Sequence, residues 1–124
     1  MIKVAVDAMG GDYAPAEMVA GAVQAVNANR EISVLLVGQE PAVAEELKKH
    51  NFPAEQIQIV PATEIIETEE PPVNAIRKKK DSSIVVGMNL VKKKEADAFV
   101  SAGSSGAILV GGQVIVGRIK GVER

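Results

Sequence analysis

Ile2-Lys3-Val4-Ala5-Val6-Asp7, followed directly by Ala8-Met9-Gly10-Gly11-Asp12-Tyr13-Ala14-Pro15, decides the fold of this 124-residue chain. The first six residues are rich in β-branched side chains and run into a glycine loop, which predicts a buried strand. Pro15 suits the first turn of a helix, where its missing N–H needs no partner. Ala16 to Ala28 then sets Met18, Val19, Ala22, Val23 and Val26 at helical spacing, and Asn27-Ala28-Asn29 ends the run. The unit is strand, glycine loop, helix.

The same order recurs downstream. Ser33 to Gly38 is a second strand, and Pro41 opens a second helix through Lys49 with Ala42, Val43 and Leu47 inward. Gln56 to Val60 is a third strand, followed by a polar acidic loop. Pro71-Pro72 marks the entry to a basic helix, and Ser83 to Lys94 carries Ile84, Val85, Met88, Leu90 and Val91 at helical spacing. Ala98-Phe99-Val100 is a fourth strand leading into Ser101-Ala102-Gly103-Ser104-Ser105-Gly106. The tail from Ala107 to Ile119 has two readings. Local propensity allows a hairpin about Gly111-Gly112-Gln113, whereas a helix bears two internal glycines costing about 1 kcal/mol each. A helix is expected, because a Ser/Gly loop after a strand in an alternating chain feeds one. This apolar stretch is about half the ~20 residues a bilayer span requires.

Alternation of this kind implies an α/β fold, a Rossmann-like three-layer αβα sandwich with a mainly parallel sheet, residues 1–124 forming one domain. Ligands in such sheets bind beyond the carboxyl ends of the strands. Two loops stand there, Asp7 to Asp12 and Ser101 to Gly106.

Composition narrows the chemistry. With 47% hydrophobic residues the chain can bury roughly two-thirds of its unfolded surface, so a real core is expected. The absence of cysteine excludes disulfides, a thiolate nucleophile and a Cys-based zinc site. The single histidine, His50, stands in a helix-terminating Lys48-Lys49-His50-Asn51 and supports neither a Ser-His-Asp triad nor a His-rich metal centre. No metal site is expected. Three aromatics (Tyr13, Phe52, Phe99) are too few for a base-stacking platform, which with the net charge of −2 argues against nucleic acid. The opening residues form no signal segment, so a cytoplasmic location is expected.

The net charge hides an imbalance. Residues 1–76 carry 12 acids and 4 bases, and residues 77–124 carry 10 bases and 4 acids. Most of the excess base sits in Arg77-Lys78-Lys79-Lys80 and Lys92-Lys93-Lys94. These runs are either a surface for an anionic ligand or acidic protein, or solvated faces whose lysines match Glu64, Glu67, Glu69 and Glu70.

Ser101 to Gly106 is the most informative segment. Its glycines let main-chain N–H groups converge, its hydroxyls add donors, and a helix starting at Ser104 or Ser105 directs its positive end to the same point. That composition suits phosphate. It suits equally an N-cap for a helix that binds nothing. The spacing fits neither a Walker loop nor a dinucleotide fingerprint. Asp7 and Asp12, bracketing Gly10-Gly11, either orient a substrate, cation or base at the strand edge, or cap loop amides and start the first helix.

Val6-Asp7-Ala8-Met9-Gly10-Gly11-Asp12 with Ala14-Pro15 resembles the opening signature of the bacterial phosphate acyltransferase (PlsX) family. Further matches follow in order: Glu70, Pro72, Ala75, Arg77, Lys79, Ser82 and Ser83, then Ser101-Ala102-Gly103, Gly106-Ala107 and Gly117-Arg118-Ile119-Lys120-Gly121. Two departures stand out: Ser104-Ser105 replaces the family's usual Asn-Thr, and Gly111-Gly112 replaces alanine-rich residues. The resemblance implies the fold of phosphate acetyltransferases and isopropylmalate-type dehydrogenases, with this chain the first portion of a longer two-lobed enzyme. The activity it implies is formation of acyl phosphate from acyl-acyl carrier protein and inorganic phosphate in phospholipid synthesis. No cofactor is implied; a homodimer, and peripheral membrane association through the remaining portion, are.

On that resemblance the catalytic candidates are Asp7, Asp12, Arg77 and Lys79. Gly10, Gly11, Ser82, Ser83, Ser101, Gly103, Ser104, Ser105 and Gly106 are the phosphate- and substrate-binding candidates. Arg77 and Lys79 would neutralise phosphate, Asp7 and Asp12 would organise the cleft floor, and the basic runs would face the acidic carrier protein. The alternative is a non-catalytic anion- or nucleotide-binding module. A folding or assembly fragment without a ligand is a third reading.

Overall fold

Strands of a parallel sheet are covered on both faces and read as continuous apolar runs. Ser33-Val34-Leu35-Leu36-Val37-Gly38 is such a run, and every one of its residues is buried in the computed structural model. The structure describes residues 1–67, 69–112 and 115. Strand β1 (Ile2–Asp7) is followed by α1 (Ala16–Ala28), β2 (Ile32–Gly38) and α2 (Glu40–Leu47). Then come β3 (Ile57–Pro61), α3 (Pro72–Lys78), α4 (Ser83–Lys92), β4 (Ala98–Val100) and α5 (Ser105–Gly111). The four strands form one sheet in the order β3-β2-β1-β4, every neighbouring pair parallel. Val6 of β1 lies in register with Leu36 on one side and Val100 on the other.

Alternate residues of β2 serve opposite layers. Val34 and Leu36 pack with Val19, Ala22, Val23 and Val26 of α1 and Val43 of α2. Leu35 and Val37 join Ala5, Ala62 and Ala96 on the other face, where Val86, Leu90 and Val91 of α4 cover them. Beyond α4, Ile76 of α3, Met88 of α4 and Ala107 of α5 belong to a third cluster. Helices therefore cover both faces, giving the three-layer α/β architecture expected. Removing the side chain of Leu36, which is fully buried, costs about 2–5 kcal/mol on the usual scale for core truncation.

Several boundaries differ from the sequence expectation for local reasons. The second helix starts at Glu40, one residue before Pro41, because proline is accepted throughout the first helical turn. The third strand starts at Ile57, since residues 54–56 form a 3₁₀ turn. Buried Gln56 ties that turn to the chain between α1 and β2, its Nε2 donating to the carbonyls of Asn29 (2.9 Å) and Ile32 (2.7 Å). Helix α4 stops at Lys92, two residues early: Lys94 has φ 62, and the amides of Glu95 and Ala96 both return to the Leu90 carbonyl. The tail is helical over Ser105–Gly111, so the first arm of the hairpin alternative does not form; residues 113, 114 and 116–119 of the expected helix lie outside the described residues. The Gly117–Gly121 motif lies outside the described residues. Among the described residues no helix is long and apolar enough to cross a membrane.

Candidate functional site

Strand order reverses between β1 and β4, so the chain leaving these neighbouring strands goes on to helices on opposite faces, α1 and α5, with a crevice at the strands' carboxyl ends. Asp7, the last residue of β1, holds the crevice together. It is 1% exposed, and each carboxylate oxygen has its own donor. The Met9 amide donates to Oδ1 at 3.0 Å, and the Ser101 hydroxyl donates to Oδ2 at 2.7 Å. Ser101 Oγ in turn accepts the Gly103 amide at 3.0 Å. One buried carboxylate thus fixes both loops, and through Ser101 it also sets the conformation of the second.

The loops touch through their main chains. A Cβ at Gly10 would lie 2.6 Å from Asp7 Oδ2 and 2.8 Å from the Gly103 nitrogen, so only glycine permits this approach. Gly11 has φ 94, a conformation that side-chain-bearing residues rarely adopt. In front of this junction lies a cavity of about 330 Å³. Met9, Gly10, Gly11 and Asp12 line it from the β1 side, Ala102, Gly103 and Ser104 from the β4 side, and Ile65, Ile66 and Glu67 from the β3–α3 connection. Among the described residues, the amides of Gly10, Gly11, Ala102 and Ser104 have no protein acceptor. The Gly103 amide does, so the Ser/Gly turn presents part of its donor set rather than all of it.

The third wall is held by a cation. Lys79 Nζ donates to the Ile65 carbonyl at 2.6 Å and lies 2.8 Å from Glu70 Oε1. Glu70 Oε2 also accepts the Glu67 amide at 2.6 Å. The Lys79 ammonium first, and the Glu67 amide second, hold the Glu70 carboxyl below its usual range. At the other end of this segment, Asp81 Oδ2 accepts both the hydroxyl (2.6 Å) and the amide (3.0 Å) of Thr63. Those bonds lower its carboxyl likewise.

A family described as "Fatty acid synthesis protein" matches residues 2–124. The chain belongs to it. Relatives named phosphate acyltransferase include those of Alkaliphilus oremlandii (51% identity), Syntrophomonas wolfei (50%) and Clostridium tetani (48%), each over 123 residues. These alignments cover 99% of this chain but 36%, 38% and 37% of the respective relatives. The chain therefore spans a little over a third of the length of the phosphate acyltransferases it matches.

Of the candidates carried by the resemblance, the structure gathers Asp7, Gly10, Gly11, Asp12, Ser101, Gly103 and Ser104 at the crevice. It sets the others apart. Lys79 is spent on Glu70 and Ile65, the pairing of lysines with the acidic stretch that charge alone allowed. Arg77 is exposed on α3 and lines no part of the cavity. Ser82 and Ser83 are buried in a helix start: Ser82 Oγ accepts the Val85 amide at 3.2 Å, and the Ser83 amide donates to Glu64. Ser105 and Gly106 occupy the first turn of α5, with Gly106 against Pro72. Ser104 serves both readings, lining the cavity while its hydroxyl caps α5 by accepting the Ala107 amide at 3.2 Å. Sequence reasoning missed Met9, Ile65, Ile66, Glu67 and Ala102. For the β3–α3 residues the one available signal was the Pro-punctuated acidic loop, which charge patterning read only as a counterpart to the lysines.

Proposed function

We propose that this crevice is the phosphate and acyl-carbonyl subsite of an acyltransferase that makes acyl phosphate from inorganic phosphate and acyl-acyl carrier protein. The observation that carries the reading is the cavity between the β1 and β4 loops, lined by glycine and serine with uncommitted amides and pinned from behind by Asp7. In the reaction a phosphate oxygen attacks the thioester carbonyl. The new C–O bond replaces the C–S bond, and the carrier thiolate leaves and takes up a proton. Phosphate is itself the nucleophile, so the reaction asks this portion of the chain for no cysteine and no serine–histidine pair. What the residues supply is orientation and hydrogen-bond donors for charge developing on the carbonyl oxygen.

Asp7 acts as a positioning residue, because both its oxygens are engaged behind the loops. Lys79 positions the third wall through Ile65. Main-chain donors then carry the local neutralisation, since among the described residues no basic side chain lines the cavity. The exposed Lys78, Lys80 and Lys92–Lys94 remain available to an acidic carrier protein. A homodimer, peripheral membrane association and a cytoplasmic location accompany this reading of the longer family enzyme. A second reading, a binding module without turnover, draws on the lack of a lining base among the described residues and on the short span of the relatives covered.

Equilibrium titration with inorganic phosphate tests the site: Gly11→Val, which puts a branched side chain at a cavity-lining position of φ 94, should weaken binding several-fold, and an unchanged Kd would remove the cradle. Hydroxamate trapping of acyl phosphate from acyl carrier protein and phosphate separates turnover from binding alone.

A further inference from the structure

A second cavity, of about 440 Å³, lies farther along the same carboxyl edge of the sheet, between the ends of β2 and β3 and the start of α2. Gln39, Glu40, Pro41, Ala42, Pro61, Ala62 and Thr63 line it, and most of its surface is carbon. The two cavities share no lining residue but are linked in two ways. The segment that walls the apolar cavity at residues 61–63 walls the polar cavity at residues 65–67. Met9, which lines the polar cavity, rests its side chain on Gly38, the residue before Gln39 of the apolar one. A Cβ at Gly38 would come within 2.9 Å of both Met9 Cγ and Sδ. Gly38 in turn pairs with Pro61, and its carbonyl accepts the Ala62 amide at 2.8 Å. Gln39 Nε2 donates to the Thr63 carbonyl at 3.2 Å, tying the two rims together.

We infer that this cavity seats the apolar tail of the acyl group whose carbonyl end lies in the polar cavity, with Met9 as the partition that the chain passes. The inference rests on the function proposed above. The chemistry of the lining selects the occupant. Two prolines and two alanines offer apolar contact with no aromatic ring to stack a nucleobase, and exposed Glu40 repels the additional phosphates of a nucleotide. Methionine suits the partition, since an unbranched thioether repacks around a flexible chain.

Monoalkyl phosphates from methyl to octyl, kept below their aggregation concentrations, test this with inorganic phosphate as the tail-free reference, by calorimetric titration of the full 124-residue chain. Each added methylene should tighten binding by about threefold to fourfold while it is fully buried, with a plateau when the cavity is filled. Ala42→Phe should flatten that dependence and leave the Kd of inorganic phosphate unchanged, with Ala42→Val giving a smaller step as a milder probe. Gly21→Leu, which projects into a separate apolar groove between α1 and β4, should change neither. No length dependence in the presence of phosphate binding, or a dependence abolished by Gly21→Leu rather than Ala42→Phe, overturns the tail site. Loss of length dependence in both variants also overturns it. Absent phosphate binding with the length dependence and its Ala42 sensitivity intact would instead sink the phosphate cradle and leave the tail site standing; absence of both would remove both.

Discussion

Two carboxylate clamps hold the loops around this crevice, and they work under opposite conditions. Asp7 is fully enclosed and joins the two loops directly, its donors being one amide and one hydroxyl. Glu70 and Asp81 hold the third wall from the solvent side, with Lys79, Glu67 and Thr63 as donors. An enclosed acceptor cannot be replaced by water, so removing it strands its donors; an exposed one can be, so removing it loosens without collapse. The comparison assigns rigidity to the β1–β4 junction and adjustability to the β3–α3 wall.

Asp7→Ala should break the contrast most strongly. It strands the Ser101 hydroxyl and the Met9 amide, so we expect a stability loss of about 2–4 kcal/mol by chemical denaturation and a collapse of phosphate affinity. Asp7→Asn, which keeps one acceptor oxygen, should lose about half as much. Gly10→Ala comes next. Its methyl would intrude on Asp7 and Gly103, and overpacking of this sort costs about 1–3 kcal/mol, read as a lowered melting temperature with weakened phosphate binding.

Acid loosens the β3–α3 wall without mutation. Glu70 and Asp81 have lowered folded-state pKa values, so their contribution is present above the ordinary carboxylate range of about 4 and lost as pH falls through the folded values. The protection of residues 63–67 against hydrogen exchange, corrected for the intrinsic rate at each pH, should therefore fall as pH drops below about 4; unchanged protection would show that these two carboxylates do not hold the wall. The smallest effect concerns the exposed lysines. Charge reversal at Lys78 and Lys80 should slow acyl carrier protein association a few-fold at low salt, leave phosphate affinity unchanged, and lose its influence as ionic strength rises.

The layered architecture was legible because its signals are local. The β-branched run at Ile2–Asp7, the alanine-rich helical spacing of α1 and the Ser/Gly turn after Val100 each announce themselves within a dozen residues. The polar crevice was legible for the same reason, since loops after β1 and β4 meet once the strand order is known. What escaped was decided by return contacts. Lys79 had two readings in the sequence, neutralising phosphate or pairing with the acidic stretch, and nothing local chooses between them; the return of α3 onto Glu70 and Ile65 does. Ser82 and Ser83 looked like ligands within a motif, although a serine pair before an apolar run is also an N-cap signal, and that is the role Ser82 fills. The apolar cavity at Ala42 and Ala62 left no trace, because small residues at strand ends carry no distinctive pattern.

The hydrogen bond between Asp7 and Ser101 spans 94 positions of the chain. As the polypeptide leaves the ribosome, β1, β2 and β3 can assemble with α1 and α2 while β1 still offers an open edge to β4, which comes last. The crevice is therefore completed only after the first three strands are in place, and a nascent chain stalled before Ser101 would own a hydrophobic core without the junction that shapes the crevice.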